Sequence, residues 1–138
     1  MIVVDANVAI KWVVQQTHFE RALQLVEHGD ELLVPGMFVA EIASTLWSYV
    51  RAKQISGEQA RIGVSSIMKQ ISFVERDVNL AEDALRMGLE LNYAPYDCFY
   101  VVLAMRRGAP FVTADRRLIN RLTPTRYKSH VIHLADWT

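Results

Sequence analysis

The chain has 138 residues, of which 51% are apolar, so its composition excludes a disordered chain and favours one domain with its own core. Fifteen basic and fifteen acidic residues give a formal net charge of zero, which excludes a general electrostatic attraction to nucleic acid or to a membrane. The single cysteine excludes an intrachain disulfide, and no apolar segment reaches the roughly 20 residues of a membrane span, so we expect a cytoplasmic protein.

The first part of the chain predicts two strands separated by helical structure. Ile2-Val3-Val4 is a β-branched apolar run, which is typical of a strand buried on both faces of a parallel sheet. Residues 8–14 are mostly apolar and continue into an amphipathic helix at about residues 17–28. A second strand at residues 31–35 ends at Pro35-Gly36.

A long amphipathic helix is predicted at about residues 37–53. Glu41 lies on its polar side near the N-terminus, where the helix dipole favours a negative charge. An ordinary first-turn glutamate has the same pattern, so Glu41 alone indicates no site. The predicted buried side consists of Phe38, Val39, Ile42, Ala43, Leu46 and Val50.

Two capping-box sequences predict the next helix starts. Ser56-Gly57-Glu58-Gln59 opens one helix, and Asn79-Leu80-Ala81-Glu82 opens another that ends near Leu91. Between these two helices, Ser72 to Glu75 predicts a short strand.

A central buried helix is predicted to begin at Pro95, because residues 98–105 are apolar on all sides. Cys98 belongs to this run and is expected to be a core residue. Asp97 lies in the first turn, either as a simple helix stabiliser or as a functional group.

The last part of the chain repeats the opening pattern. Phe111 to Asp115 is a short apolar run that ends in an acid, and a short helix follows near Leu118. A last strand is predicted within residues 127–134. This alternation of strands and helices predicts an α/β fold in a single domain, residues 1–138, with a mostly parallel sheet.

Four carboxylates are predicted to meet at one edge of this sheet. Asp5 and Asp115 follow strands, whereas Glu41 and Asp97 lie in the first turns of helices. In a parallel sheet the strand ends and the following helix N-termini share one edge. Clustered carboxylates raise each other's pKa, and a divalent cation relieves the repulsion. Oxygen ligands favour Mg²⁺ or Mn²⁺, for which phosphodiester hydrolysis is a natural chemistry.

Neighbouring polar residues could assist this predicted site. Asn7 and Thr113 each lie two residues from an acid and could orient a ligand or a water molecule, although ordinary turn chemistry is an alternative. Arg116 and Arg117 could hold a phosphate backbone. They belong to a basic stretch between residues 106 and 128 that is either a polyanion-binding flank or a solvated surface.

These motifs resemble the PIN domain family. The resemblance covers essentially the whole chain and rests on Asp5-Ala6-Asn7, Glu41, Tyr96-Asp97 and Thr113-Ala114-Asp115, in the order of the family. The small single-domain form is similar to the VapC toxins of bacterial toxin–antitoxin pairs.

The resemblance implies a three-layer α/β/α fold with a central sheet of about five strands. It also implies a Mg²⁺- or Mn²⁺-dependent endoribonuclease that is usually homodimeric and is inhibited by a VapB-type antitoxin. Asp5, Glu41 and Asp97 match the core acidic triad of the family as catalytic and metal-binding residues, and Asp115 matches the more variable fourth acid. Cys98 departs from the small residue that usually follows the helix-opening aspartate.

Two alternatives stay open at the level of sequence. A phosphotransferase with a strand-end aspartate nucleophile generally has a second aspartate two residues later, where this chain has Asn7. A PIN-like fold could also serve as an RNA- or protein-binding module with weak catalysis, although such a module has no reason to retain four repelling carboxylates.

Overall fold

A computed structural model describes residues 1–138, which form five short strands and seven α-helices in the predicted alternation. The strands are β1 (Ile2–Val4), β2 (Leu32–Pro35), β3 (Phe73–Glu75), β4 (Phe111–Thr113) and β5 (Val131–His133). The helices are α1 (Ala6–Ala9), α2 (Phe19–Glu27), α3 (Met37–Arg51), α4 (Gly57–Gln70), α5 (Ala81–Leu91), α6 (Tyr96–Arg107) and α7 (Arg116–Leu122). None of the helices is long and apolar enough to cross a membrane.

The five strands form one fully parallel sheet in the order β3-β2-β1-β4-β5. The chain moves from β1 through β2 to β3 on one side and then returns to β4 and β5 on the other. Right-handed crossovers therefore place α1 to α4 on one face and α5 to α7 on the opposite face. Contacts of α3 with α1 and α4, and of α5 with α6, agree with this arrangement. The predicted three-layer α/β/α fold is confirmed.

The reversal of strand order places a natural binding crevice at the carboxyl ends of β1 and β4. Strand β1 lies at the centre of the sheet and is buried along its whole length, as its β-branched run predicted. Helix α6 packs beneath β1 and β2 and buries half of its residues, including Cys98, which confirms the predicted central helix. The N-terminus of α6 carries Asp97 to the crevice.

Helix α3 exposes part of the face that the sequence predicted to be buried. Phe38, Ile42 and Leu46 are buried against the fold, whereas Val39 is 41% exposed and Ala43 is also exposed. The prediction was wrong for these two residues because α3 contacts its neighbours along a stripe narrower than its apolar surface.

One of the two predicted capping boxes was also wrong. The box at Ser56 forms, with Gln59 N–H donating to Ser56 Oγ at 3.0 Å, but the one at Asn79 does not. Asn79 instead donates its side-chain amide to Glu75 Oε1 at 2.8 Å, and a 3₁₀ turn precedes α5. Residues 126–130 form a 3₁₀ helix that leads into β5, which confirms the last strand predicted within residues 127–134.

Candidate active site

Asp5 lies directly after β1, where the strand order reverses, and only 4% of its surface is exposed. Thr113, the last residue of β4, donates its hydroxyl proton to Asp5 Oδ2 at 2.7 Å. The parallel pairing of β1 with β4 brings the ends of these two strands together, although Asp5 and Thr113 are 108 residues apart. The sheet itself therefore fixes the position of the Asp5 carboxylate.

Asn7 and Thr113 join Asp5 to the turn that carries Asp115. The Asn7 side-chain amide donates to Thr113 Oγ1 at 3.4 Å, and its carbonyl accepts from Ala114 N–H at 3.0 Å. Thr113 Oγ1 also accepts from Asp115 N–H at 3.0 Å. Both residues thus lie beside the predicted carboxylates, where they hold the strand ends in register.

Glu41 faces the same cleft from α3 and is held by Tyr100 of α6. The Tyr100 hydroxyl donates to Glu41 Oε1 at 2.6 Å. The Tyr100 ring is fully buried and stacks on Phe111, with 5.1 Å between the ring centroids. The sequence reasoning missed Tyr100, although a phenol inside a fully buried helix requires a hydrogen-bond partner and could have signalled one.

Asp97 is held in a similar way by Tyr93, whose hydroxyl donates to Asp97 Oδ2 at 3.2 Å. Tyr93 lies in the connection between α5 and α6, directly after Asn92, which has a left-handed backbone with φ of 50°. This turn brings Tyr93 back over the start of α6. The sequence reasoning did not identify Tyr93.

Asp5, Glu41 and Asp97 line one cleft of about 200 Å³. Burial raises the pKa of Asp5 to about 7; the Thr113 hydrogen bond opposes this rise, and repulsion from Asp97 and Glu41 adds to it. Burial and repulsion from Asp97 raise the pKa of Glu41, and burial and repulsion from Asp115 raise the pKa of Asp97. The carboxylates are therefore close enough to disfavour each other's charge.

Asp115 lies at the edge of this group, within electrostatic reach of Asp97. Its Oδ1 atom accepts hydrogen bonds from Arg117 N–H at 2.9 Å and Leu118 N–H at 3.3 Å, which caps α7. The structure therefore brings three of the four predicted acids into one cleft and places the fourth beside it as a helix cap.

The donor set of this cleft fits a hydrated divalent cation. Carboxylate oxygens are the ligands that Mg²⁺ and Mn²⁺ prefer, and a cation would offset the burial and the repulsion that raise the pKa values of Asp5, Glu41 and Asp97. No three acidic, histidine or cysteine side chains converge into a ready-made metal cage. Mg²⁺ usually keeps several of its waters, so one or two direct carboxylate ligands are sufficient to hold it.

The two arginines predicted to bind a phosphate backbone differ in their surroundings. Arg116 contacts His133 Nδ1 at 3.0 Å, and its guanidinium lies 3.8 Å from Asp136. Burial raises the pKa of Tyr93 to about 12, and the exposed Arg117 opposes this rise, so Arg117 lies near the tyrosine that donates to Asp97. Three other arginines of the basic stretch, Arg106, Arg107 and Arg126, form ion pairs with acidic side chains.

Comparisons with known proteins agree with this fold. The sequence of Ribonuclease VapC3 from Pyrobaculum aerophilum is 26% identical over 126 residues, which cover 87% of this chain and 93% of that protein. The crystal structure of PAE2754 from Pyrobaculum aerophilum superposes with a TM-score of 0.74 at 20% identity, over 97% of this chain and 89% of that one.

A second solved structure, VapBC2 from Rickettsia felis bound to a DNA fragment from their promoter, matches with a TM-score of 0.66 at 12% identity, over the whole of both chains. The model of the PIN domain matches residues 2–122, a range that contains Asp5, Glu41, Asp97 and Asp115. The chain therefore belongs to the PIN domain family.

Proposed function

We propose that this protein is a divalent-metal-dependent endoribonuclease of the VapC type, which hydrolyses RNA phosphodiester bonds. The observation that carries the proposal is the cleft at the switch point of a PIN fold, which Asp5, Glu41 and Asp97 line together with pKa values raised mainly by burial. The similarity to Ribonuclease VapC3 supports RNA as the substrate.

Asp5, Glu41 and Asp97 would hold Mg²⁺ or Mn²⁺, and Asp115 would complete this group from the side of Asp97. The bound cation would supply positive charge for the phosphate oxygens and lower the pKa of a water molecule. Thr113, Tyr100 and Tyr93 keep the three carboxylates in place through their hydroxyl groups.

The scissile phosphate lies over these carboxylates in the proposed reaction. A water molecule attacks the phosphorus and one of the carboxylates accepts its proton. The bond to the leaving oxygen breaks, and that oxygen keeps the bonding electrons and takes up a proton from solvent. Arg117, on the Asp97 side of the cleft, is suited to contact the phosphate backbone. Asn7 keeps the turn after β4 fixed against β1 during this step.

A PIN-fold binding module with weak catalysis is the second candidate function. It is favoured by one observation, that no three potential ligands converge into a ready-made metal cage. Calorimetric titration with Mn²⁺ separates the two functions. Failure of the protein to bind Mn²⁺ would favour the binding module.

The purified protein is expected to cut a mixed pool of tRNA and rRNA into discrete fragments when Mg²⁺ or Mn²⁺ is present. EDTA and Asp5→Asn should both abolish the fragments, because each removes a part of the metal site. Glu82→Gln is the matched control, since Glu82 is a largely exposed acid on α5 outside the cleft. Fragments that persist in EDTA would contradict a metal-dependent reaction.

We further propose that a VapB-type antitoxin binds and inhibits this protein. The similarity to a VapBC2 structure supports such a partner, and the surface offers an apolar site for it. Trp47 of α3 and Ile62 of α4 are 61% and 57% exposed, and Ile62 lines a groove of about 240 Å³ between these helices. An apolar groove with exposed apolar residues on the same pair of helices often marks a protein interface.

The double substitution Trp47→Ala with Ile62→Ala is expected to weaken binding of the co-expressed antitoxin by at least about tenfold, because buried aromatic anchors dominate interfaces. RNA cleavage should stay at the wild-type rate, since neither residue lines the cleft. Equal affinity of the variant and the wild type for the antitoxin, measured by calorimetry, would place the antitoxin elsewhere.

Homodimer formation in the cytoplasm is part of the same proposal. Light scattering is expected to report twice the mass of one chain, and cell fractionation is expected to recover the protein with the cytoplasm. A monomer at micromolar concentration would contradict the dimer.

A further inference from the structure

A second groove opens beside the carboxylate cleft and continues from it. This groove has a volume of about 400 Å³ and lies between α3 and the start of α6. Glu41 and Thr45 line both the groove and the cleft, so a strand of RNA that crosses the carboxylates can pass directly into the groove. The remaining lining residues are Met37, Ala40, Ser44 and Tyr96.

Tyr96 forms the α6 wall of this groove, and it is more exposed than the two nearby tyrosines, Tyr93 and Tyr100. Tyr93 and Tyr100 direct their hydroxyls to Asp97 and Glu41, whereas Tyr96 is 69% exposed. Tyr96 directly precedes Asp97 in the first turn of α6, so the helix holds its backbone at the mouth of the cleft. The groove therefore offers an accessible aromatic ring next to the metal-binding carboxylates.

The lining also determines which part of a nucleotide could enter. The groove has no lysine or arginine, and its one charged residue, Glu41, is acidic. A phosphate would be repelled there, whereas a neutral, planar base fits between apolar atoms and hydroxyl groups. Unpaired bases in single-stranded RNA are commonly recognised by stacking on aromatic side chains and by hydrogen bonds to their edges.

We propose that this groove is a nucleobase subsite, in which Tyr96 stacks on the base next to the scissile phosphate of single-stranded RNA. Ser44 and Thr45 supply hydroxyl groups that can hydrogen-bond to the edge of that base. The subsite selects an unpaired nucleotide at the cleavage position, because a base inside a duplex cannot reach the Tyr96 ring. This inference rests on the ribonuclease function proposed above.

The test measures binding separately from cleavage. Fluorescein-labelled single-stranded rA12, rU12 and rC12 are titrated with the Asp5→Asn protein in Mg²⁺, and the Kd is read from fluorescence anisotropy. In this background, Tyr96→Ala is expected to raise the Kd for the best-bound oligonucleotide by roughly 5- to 100-fold, the range for loss of one base stack. Tyr96→Phe and Tyr96→Trp should retain most of the affinity, because both keep an aromatic face.

Phe73→Ala is the matched control, since Phe73 is an exposed aromatic residue on β3 that lines neither the groove nor the cleft. A 12-mer with an abasic spacer at each position in turn supplies a second control. At the position that occupies the subsite, the spacer should remove the difference between Tyr96 and the alanine variant.

Several results would overturn the subsite. They are equal Kd values for the wild-type residue and Tyr96→Ala, equal effects of Tyr96→Ala and Tyr96→Phe, or failure of every oligonucleotide to bind. A change in mass by light scattering without a change in RNA affinity would assign Tyr96 to a protein interface instead.

Failure of the subsite can be told apart from failure of the proposed function. Metal-dependent cleavage of RNA with no effect of Tyr96→Ala on Kd would retain the ribonuclease and reject the subsite. Binding of the oligonucleotides that depends on Tyr96, without any cleavage by the wild-type protein, would retain the subsite and reject the ribonuclease. In an active enzyme, Tyr96→Ala should raise KM far more than it lowers kcat, because Tyr96 binds a base and does not contact the reacting atoms.

Discussion

Asp97→Asn is expected to reduce RNA cleavage by roughly 1000-fold or more, because a loss of several kcal/mol of charge stabilisation at the phosphate corresponds to such a factor. Asparagine has the same shape and can still accept the Tyr93 hydrogen bond through its side-chain oxygen. It lacks the negative charge that a divalent cation requires. The measurement is the single-turnover rate on the best-cleaved RNA at saturating Mn²⁺.

The fold should survive this change. Burial and repulsion from Asp115 already raise the pKa of Asp97, so removal of the charge relieves an unfavourable interaction in the metal-free protein. We therefore expect the variant to unfold at the wild-type temperature or above it when EDTA is present.

Asp83→Asn is the control for this experiment, because Asp83 pairs with Arg86 and Arg106 at the surface and does not line the cleft. It should cleave at the wild-type rate. Wild-type turnover by the Asp97→Asn protein would exclude Asp97 from the reacting centre. Loss of activity together with a large fall in the unfolding temperature would show that its role is structural.

The convergence of Asp5, Glu41 and Asp97 could be predicted from the sequence because it depends on few elements. A buried β-branched strand that ends in an acid indicates a parallel sheet, and a parallel sheet places strand ends and helix starts on one edge. The three positions follow from that geometry without knowledge of the strand order. The side-chain contacts at this edge cannot be predicted from the periodicity of the sequence.

The residues that hold the carboxylates could not be predicted in this way. Tyr100 belongs to the mostly apolar run of α6, and it meets Glu41 across 59 residues of sequence, through a contact that exists only after α3 and α6 are placed. Asp115 was predicted by its position after a strand, but its carboxylate is shared with the N-terminus of α7. Competition between partners also explains why Asn79 does not form the predicted capping box, since its side-chain amide donates to Glu75 instead.

The outward side of α3 shows another limit of sequence patterns. Val39 and Ala43 fit an apolar helical stripe, yet the elements packed against α3 cover only part of that stripe. An apolar helical stripe occurs where side chains pack against the rest of the fold and also where they pack against a partner protein. Such a stripe therefore does not distinguish core from interface.

Metal-free protein is expected to lose stability as the pH rises from about 4 to 7, and Asp5→Asn is expected to remove much of this loss. The pKa of Asp5 is about 7 in the folded protein and near its ordinary value of 3.8 in the unfolded chain. The folded state therefore binds this proton more tightly. The resulting stabilisation is complete below the unfolded pKa and disappears as the pH rises through the folded pKa.

The difference between these two pKa values corresponds to roughly 4 kcal/mol in the free energy of unfolding, on the order of half of a typical domain stability. Urea unfolding in EDTA between pH 4 and 8.5 measures it, and the comparison with Asp5→Asn isolates it from the other acids. The Asn variant keeps an oxygen that can accept the Thr113 hydrogen bond. Above pH 7 the variant should be more stable than the wild type, whereas parallel pH curves would contradict the buried charge.

The effect of Mn²⁺ on this stability tests whether the Asp5 carboxylate binds the metal ion. A cation that binds the folded state stabilises it by mass action, and it does so best when Asp5 is ionised. At pH 8 the wild-type protein should therefore regain with Mn²⁺ much of the stability that it lost through Asp5, while Asp5→Asn gains less. Equal gains in the two proteins would mean that the metal binds away from Asp5.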